Sequence, residues 1–279
     1  MPTKYDIDAL LFVDTNVLLD FYRIRNSDVS MRYLNQLEAH KNSLIIGSQI
    51  EMEYKKNRQR AIVESLNTFK TPDWGMLSVP ALVSDLQAAK IIVSKRKEVN
   101  TQYQKVSDKI KKILADPIHH DPVYQSLQRI FKNESDYNLD RESDARFSIR
   151  NLARKRFTLG YPPRKQNDTS FGDAVNWEWI VKCSKDSGKH VVIVTRDTDF
   201  GAIYEKKSYL NDWLRQEFSE RVSKRRKVIL TDRLSEGLKY LHAPVTEAMV
   251  NEETNVIERR AEQVISDIMA MFDDKPKDI

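Results

Sequence analysis

The sequence predicts an α/β protein built on a twisted parallel sheet, with helices on both faces of the sheet. Residues 9–13 and 191–194 are short, uninterrupted apolar runs, which is typical of strands buried on both faces. An aspartate follows each run within three residues, at Asp14 and at Asp197. Ligands of open α/β sheets bind at the carboxyl ends of the strands, so both aspartates occupy candidate site positions.

The composition fits a folded, helix-rich chain of 279 residues, with 40% hydrophobic residues, 31% charged residues and only 7 glycines. Its net charge of +5 favours a polyanionic partner without specifying one. The single cysteine, Cys183, excludes an internal disulfide and is expected to be a small buried residue of a helix. No segment reaches the ~20 apolar residues of a membrane span, and we therefore expect a cytoplasmic protein.

The first third of the chain predicts a strand, a helix, a second strand and a second helix. The first helix covers residues 28–40 with an aspartate cap at its start, and residues 44–46 form a short strand. Ser48 then fits a helix N-cap, and Glu51, three residues later, completes a capping-box pattern. Capping accounts for Glu51 but not for Glu53, which points in another direction from the same helix.

A helical insertion is predicted over residues 68–158. Its residues 85–114 form a polar stretch in which Ile92, Val99 and Val106 recur at heptad spacing, as in a helical hairpin or coiled arm. Residues 119–121, His-His-Asp, have the residue types of a metal cluster, but adjacent histidines in a proline-flanked loop favour a surface position.

The end of the insertion carries a dense group of cations. On a helix, Arg146, Arg150 and Arg154 lie on one face and form a candidate phosphate-facing stripe. The following loop, rich in proline, ends in Arg164 and Lys165. We expect these side chains to contact a phosphate backbone.

The last part of the chain returns to alternating helices and strands. Asp173 lies in the first turn of a helix that ends near residue 186, and two acids, Asp197 and Asp199, follow the strand at 191–194. We expect a helix that includes Leu210 and Trp213, a strand at 228–230 and a long amphipathic helix after residue 243. The predicted domains are 1–242, including the insertion, and a C-terminal helical extension over 243–279.

Five carboxylates share one kind of position, because each lies at the end of a strand or in the first turns of a helix. A parallel sheet would bring such positions to one edge. Carboxylates that converge without histidine or thiol ligands suit Mg²⁺ or Mn²⁺. The five are Asp14, Glu53, Asp173, Asp197 and Asp199.

The order and local context of these acids resemble those of the PIN-domain nuclease superfamily. The resemblance covers roughly residues 9–66 and 160–240, and the proline pair before the Gly-Asp motif resembles a bacterial PIN-like group with a large helical insertion. The matching segments are Phe-Val-Asp-Thr-Asn-Val-Leu at 12–18, Ile-Glu-Met-Glu-Tyr at 50–54, Tyr-Pro-Pro at 161–163, Phe-Gly-Asp-Ala at 171–174 and Val-Thr-Arg-Asp-Thr-Asp-Phe at 194–200.

The resemblance implies a metal-dependent nuclease with a three-layer α/β/α fold, most often an RNA endonuclease and in some relatives a DNA nuclease. It implies a two-metal site in which Asp14 is central, Glu53 and Asp173 hold one ion, and Asp197 and Asp199 complete the other side. Thr15, Asn16 and Thr195 would contact the ligands or the substrate. The named group also suits a toxin or phage-defence role, and the insertion suits a homodimer or regulatory partner contact.

Two other classes of protein share part of this pattern. A haloacid-dehalogenase-type phosphatase needs a second aspartate two residues after the first, and this chain has Asn16 there. A non-catalytic nucleic-acid-binding scaffold with the same fold would have lost some of the acids, and all five are present. The sequence therefore favours the nuclease.

Overall fold

A five-stranded, entirely parallel sheet with flanking helices forms the centre of the computed structural model, which describes residues 4–66, 73–163 and 170–273. The predicted α/β fold is therefore confirmed. The strands in chain order are β1 Ala9–Val13, β2 Leu44–Gly47, β3 Asn138–Leu139, β4 His190–Val194, β5 Gly201–Tyr204, β6 Lys207–Leu210 and β7 Val228–Thr231.

Helices occupy most of the remaining described chain. They are α1 Thr15–Leu19, α2 Ser27–Ala39, α3 Ser48–Leu66, α4 Gln87–Ala115, α5 Pro117–His120, α6 Pro122–Phe131, α7 Ala145–Thr158, α8 Gly172–Ser187, α9 Asp212–Arg221, α10 Leu234–Lys239 and α11 Glu247–Asp273. Within the described residues, no helix is long and apolar enough to span a membrane.

Strands β1 and β4 lie side by side in the middle of the sheet and are its most buried part. Every residue of β1 is buried, and residues 191–194 of β4 have no exposed surface. The two strands pair from Ala9 with His190 to Val13 with Val194. Covering on both faces explains why these runs lack the alternating polar residues of a half-exposed strand.

The strand order β3-β2-β1-β4-β7 places the point where the chain reverses its direction of winding between β1 and β4. Strands β2 and β3 extend the sheet on one side of β1, and β4 and β7 extend it on the other. A crevice opens at the carboxyl ends of the strands at such a switch point. The residues that follow β1 and β4 therefore occupy the position where a site is expected.

The hairpin of β5 and β6 was not predicted. Leu210 was expected to lie in a helix. It is instead the last residue of β6, and α9 begins at Asp212. The hairpin turns through Glu205 and Lys206, with φ of 48° and 60°. Such turns usually contain glycine or asparagine. This turn contains neither, so the sequence carries no local signal of a hairpin.

Two predicted helix caps are also wrong in detail. Asn26 caps α2, since its side chain accepts hydrogen bonds from the N–H groups of Asp28 and Val29. The carboxylate of Glu51 pairs with Lys55 at 2.6 Å, an i,i+4 pair on the surface of α3. Residues with short polar side chains compete for cap positions, so the correct one is difficult to choose from sequence.

The insertion consists of an exposed arm and a part that packs on the core. In α4, Ala89 is the buried residue, whereas α6 packs on α2 and α7 packs on α8. The buried side chain of Arg58 in α3 donates to Asp121, immediately before α6, at 2.6 Å. Asp121, part of the His-His-Asp segment, therefore pairs with an arginine.

The C-terminal helix α11 packs on α2 and α10. Met249 and Val256 are buried, and the Tyr33 hydroxyl of α2 donates to the Met249 carbonyl at 2.9 Å. Residues 243–279 were expected to form an extension of the domain. In the structure, the first half of α11 packs against the hydrophobic core. Cys183 is buried in α8 as expected, and burial raises the pKa of its thiol.

Candidate active site

Asp14 lies at the centre of the site, directly after β1, and is only 5% exposed. It caps α1, because Oδ1 accepts the backbone N–H of Thr15 at 2.6 Å. Its other oxygen accepts hydrogen bonds from the Thr195 hydroxyl at 2.6 Å and the Asn16 amide at 2.7 Å. Donors from two elements thus fix the orientation of one buried carboxylate.

The loop after β4 folds over Asp14. The backbone N–H of Arg196 donates to the Asn16 side-chain oxygen at 3.1 Å, and that of Asp197 donates to the Thr195 hydroxyl at 3.0 Å. Thr195 therefore contacts Asp14 through its hydroxyl and orders the backbone at Asp197. This loop brings the predicted residues Thr195 and Asp197 to Asp14 and Asn16.

Glu53 reaches the same place from α3. Its Oε2 accepts from the Thr15 hydroxyl at 3.1 Å, and its Oε1 accepts from the Gln49 amide at 2.6 Å. The alternative acid of this helix, Glu51, pairs with Lys55 instead. Of the two glutamates, the geometry therefore favours Glu53 as a site residue.

Asp173 follows a glycine that packs tightly against Glu53. A Cβ atom on Gly172 would lie 2.3 Å from Glu53 Oε1 and 2.7 Å from Gln49 Nε2. The start of α8 approaches α3 this closely only because position 172 has no side chain. The Gly-Asp pair thus places the half-buried Asp173 one residue from the contact with Glu53.

We expect the Gly172→Ala variant to bind Mn²⁺ about 10- to 100-fold more weakly, because the new methyl group displaces the Glu53 carboxylate. Titration calorimetry with Mn²⁺ measures the effect. Gly75→Ala is the matched control, since the three heavy atoms nearest to a Cβ there belong to the side chain of Asp73, the closest at 3.1 Å. Unchanged Mn²⁺ affinity in a folded Gly172→Ala protein would contradict the prediction.

The neighbouring acidic side chains make Asp14 harder to ionise. The pKa of Asp14 is raised from its ordinary 3.8 to about 7, first by burial and then by the charges of Asp197 and Glu53. Hydrogen bonds from Thr195 and Thr15 partly oppose this rise in pKa. A buried carboxylate near two others is costly to ionise, and a bound cation would remove that cost.

The donor set fits a hard divalent cation. The groups around Asp14 include the carboxylates of Glu53 and Asp197 and the hydroxyl of Thr195, which are oxygen groups of the kind that Mg²⁺ and Mn²⁺ prefer. Over residues 4–66, 73–163 and 170–273, no three acidic, imidazole or thiol groups form a preassembled metal cluster. The charges of Glu53 and Asp197 act on Asp14, and this is the observation that favours a cation at this position.

Three other predicted site residues lie in the described part of the chain, close to Asp197 or to Gln49. Asp199 is half-buried in the same loop as Asp197, two residues further on. Arg146 and Arg150 project from α7 into a cleft at the start of α3, which Gln49 also lines. Arg164 and Lys165 lie outside the described residues.

Comparison with known families agrees with this geometry. The profile described as PIN domain matches residues 11–200, which include the last three residues of β1, all of β4 and all five candidate acids. The chain belongs to the PIN-domain family. PIN domains form a superfamily of nucleases that act on nucleic acid and generally depend on a divalent metal. No curated protein and no solved structure matches the chain.

Gln49 and Asn176, which line one cleft of this PIN domain, were not identified from the sequence. Gln49 precedes Glu53 by four residues, so helical spacing alone could have identified it. Asn176 follows Asp173 by three residues on α8 and could have been found in the same way.

Arg196 and Glu253 could not have been paired from the sequence. Arg196, between Thr195 and Asp197, donates to Glu253 Oε1 at 2.9 Å and to Asp20 Oδ2 at 3.3 Å. Glu253 also accepts the backbone N–H groups of Leu234 and Ser235 at the start of α10. Through these bonds α11 holds the loop that carries Asp197.

Proposed function

We propose that the chain is a Mg²⁺- or Mn²⁺-dependent nuclease that hydrolyses phosphodiester bonds, most specifically an RNA endonuclease. The observation that carries the proposal is the buried Asp14 at the switch point of a PIN domain, with its pKa raised by Asp197 and Glu53 as well as by burial. The proposed metal ligands are Asp14, Glu53, Asp173, Asp197 and Asp199.

The chain's own residues would orient the ligands. Thr15, Asn16 and Thr195 direct hydrogen bonds at Asp14, so its carboxylate points in one fixed direction. Glu53 is oriented by Thr15 and Gln49. When bound, a metal pair supplies an activated water and neutralises charge on the phosphoryl oxygens. Hydrolysis in this scheme leaves a 5′-phosphate and a 3′-hydroxyl.

The positions of the cations support a nucleic-acid substrate. Arg146 and Arg150 line a cleft next to Gln49, which itself contacts Glu53. These arginines, together with Arg164 and Lys165, are proposed to contact the phosphate backbone. A cytoplasmic role as a toxin or phage-defence effector is the biological setting that fits an RNA-cleaving member of this family.

The arm formed by α4 is the proposed contact with a second copy or a regulatory partner. Ile92, Val99 and Val106 are 42%, 44% and 44% exposed and recur every seven residues. Apolar side chains at this spacing pack against another helix in coiled coils. Analytical ultracentrifugation of the purified chain measures its oligomeric state. A dimer supports contact with a second copy, and a monomer supports contact with a different partner.

The test is incubation of the purified chain with labelled single-stranded RNA, circular RNA, single-stranded DNA and duplexes, in EDTA, Mg²⁺ or Mn²⁺. We expect metal-dependent cleavage of RNA, including circles, which only an endonuclease can open. Cleavage of DNA alone would replace the RNA proposal with a DNA nuclease. Binding without cleavage of any substrate would leave a non-catalytic nucleic-acid-binding protein.

A further inference from the structure

A cleft without acidic residues lies beside the acidic site. Ser48 and Gln49 at the start of α3, Arg146 and Arg150 of α7, and Asn176 of α8 line it. The remaining lining is apolar or backbone, and no carboxylate is present among the described lining residues. The cleft therefore presents hydrogen-bond donors and positive charge in a chain that has 41 acidic residues.

Two donors in this cleft are buried and lack an acceptor. Asn176 is 4% exposed, and its Nδ2 has no hydrogen-bond partner in the described part of the chain. The same holds for Nε of Arg146, whose Nη1 donates to the Arg141 carbonyl at 3.2 Å. A buried donor without an acceptor costs about 1–3 kcal/mol, and an anionic ligand would remove that cost.

The charges around the cleft also lack a counter-ion. Arg150 has no acidic partner among the described residues, and its pKa is lowered by burial and by the neighbouring charges of Arg146 and Arg154. The first-turn N–H groups of α3, a helix of 19 residues, have no intrahelical acceptor. Helix N-termini of this kind attract anions.

We propose that this cleft binds an oxygen of a phosphate group of the nucleic-acid strand, held by Asn176, Arg146, Arg150 and the start of α3. The space open to the centre of a water-sized atom is about 10 Å³, which suits a single oxygen. Gln49 lies between this cleft and Glu53, and Asn176 lies one helical turn from Asp173. The bound phosphate is therefore a neighbour of the one that is cleaved.

This inference rests on the proposed function, and the test separates the two. Two short fluorescent single-stranded RNAs are used, one with a 5′-hydroxyl and one with a 5′-phosphate. Their binding is measured by fluorescence anisotropy in EDTA at a series of salt concentrations. The variants are Arg150→Gln and Asn176→Asp, which places a carboxylate where the amide donor was. Arg225→Gln is the matched control, because Arg225 is exposed and lies before β7, at the amino ends of the strands.

We expect Asn176→Asp to weaken binding at least about tenfold. Arg150→Gln should lower the slope of log affinity against log salt by about one, while the control behaves like wild type. If the variants lose affinity equally for both RNAs, the cleft binds an internal phosphate. If they lose affinity only for the 5′-phosphorylated RNA, the cleft binds the terminal phosphate. Thermal melting checks the fold, and Arg150→Gln carries the test if Asn176→Asp unfolds.

Affinity and salt slope unchanged in the folded variants would overturn the phosphate subsite, even if the wild type cleaves RNA with Mn²⁺. Binding that depends on Arg150 and Asn176 without any metal-dependent cleavage would support the subsite and remove the nuclease proposal. A wild type that does not bind either RNA in EDTA would overturn the subsite.

Discussion

Metal-dependent cleavage should fall by at least about a thousandfold when Asp14 is replaced by asparagine. The amide keeps the size of the carboxylate and one of its two acceptor oxygens but loses the charge that would bind a divalent ion at the centre of the site. The change is measured as the initial rate of cleavage, in Mn²⁺, of whichever labelled RNA or DNA the wild type cleaves fastest. Asp186→Asn is the matched control, since Asp186 is 56% exposed, lies at the far end of α8 and pairs, among the residues that the structure describes, with Lys182.

Loss of folding should not explain that result. The pKa of Asp14 rises from 3.8 in the unfolded chain to about 7 in the fold, so the folded protein binds more protons between these values. The stability of the metal-free wild type therefore decreases as the pH rises from about 4 to about 7. Asparagine has no such cost, and Asp14→Asn should melt no lower than wild type in EDTA at pH 8. Full activity, or a lower melting temperature, would contradict the metal-site interpretation.

The free energy of unfolding should fall by about 3 kcal/mol in Glu253→Gln, because the change removes the negative charge from a buried ion pair. Glu253 is 3% exposed and accepts hydrogen bonds from Arg196, Tyr33 and the start of α10. An amide cannot accept at all of these positions, and it leaves Arg196 with Asp20 as its acidic partner. Chemical denaturation followed by circular dichroism measures the loss.

Glu258→Gln, an exposed change on the same helix, should alter the free energy of unfolding by less than about 0.5 kcal/mol. Because Arg196 lies next to Asp197, the Glu253 variant should also bind Mn²⁺ more weakly under conditions in which it is still folded. Equal stability of the two variants would show that the contacts of Glu253 contribute little to the fold.

The centre of the site was predictable because its signals are local. A few consecutive residues are enough to recognise a buried apolar strand followed by Asp14. Glu53 can be selected as a site residue from its position on α3. Arg196 and Glu253 are 57 residues apart, with β5, β6, α9, β7 and α10 between them, so no local pattern contains their link. The hairpin of β5 and β6 was missed for a different reason, since Glu205 and Lys206 adopt positive φ without the usual turn residues.

The buried pair of Arg58 and Asp121 limits how this PIN domain could be reduced to a minimal core. Arg58 is on α3, five residues beyond Glu53, and it also donates to the Ile113 carbonyl at the end of α4 at 2.6 Å. Excising the insertion would remove the Asp121 carboxylate and the Ile113 carbonyl from this guanidinium, which lies on the same helix as Glu53. A shortened version would need an uncharged residue such as methionine at position 58, so insertion and core have to be redesigned as one unit.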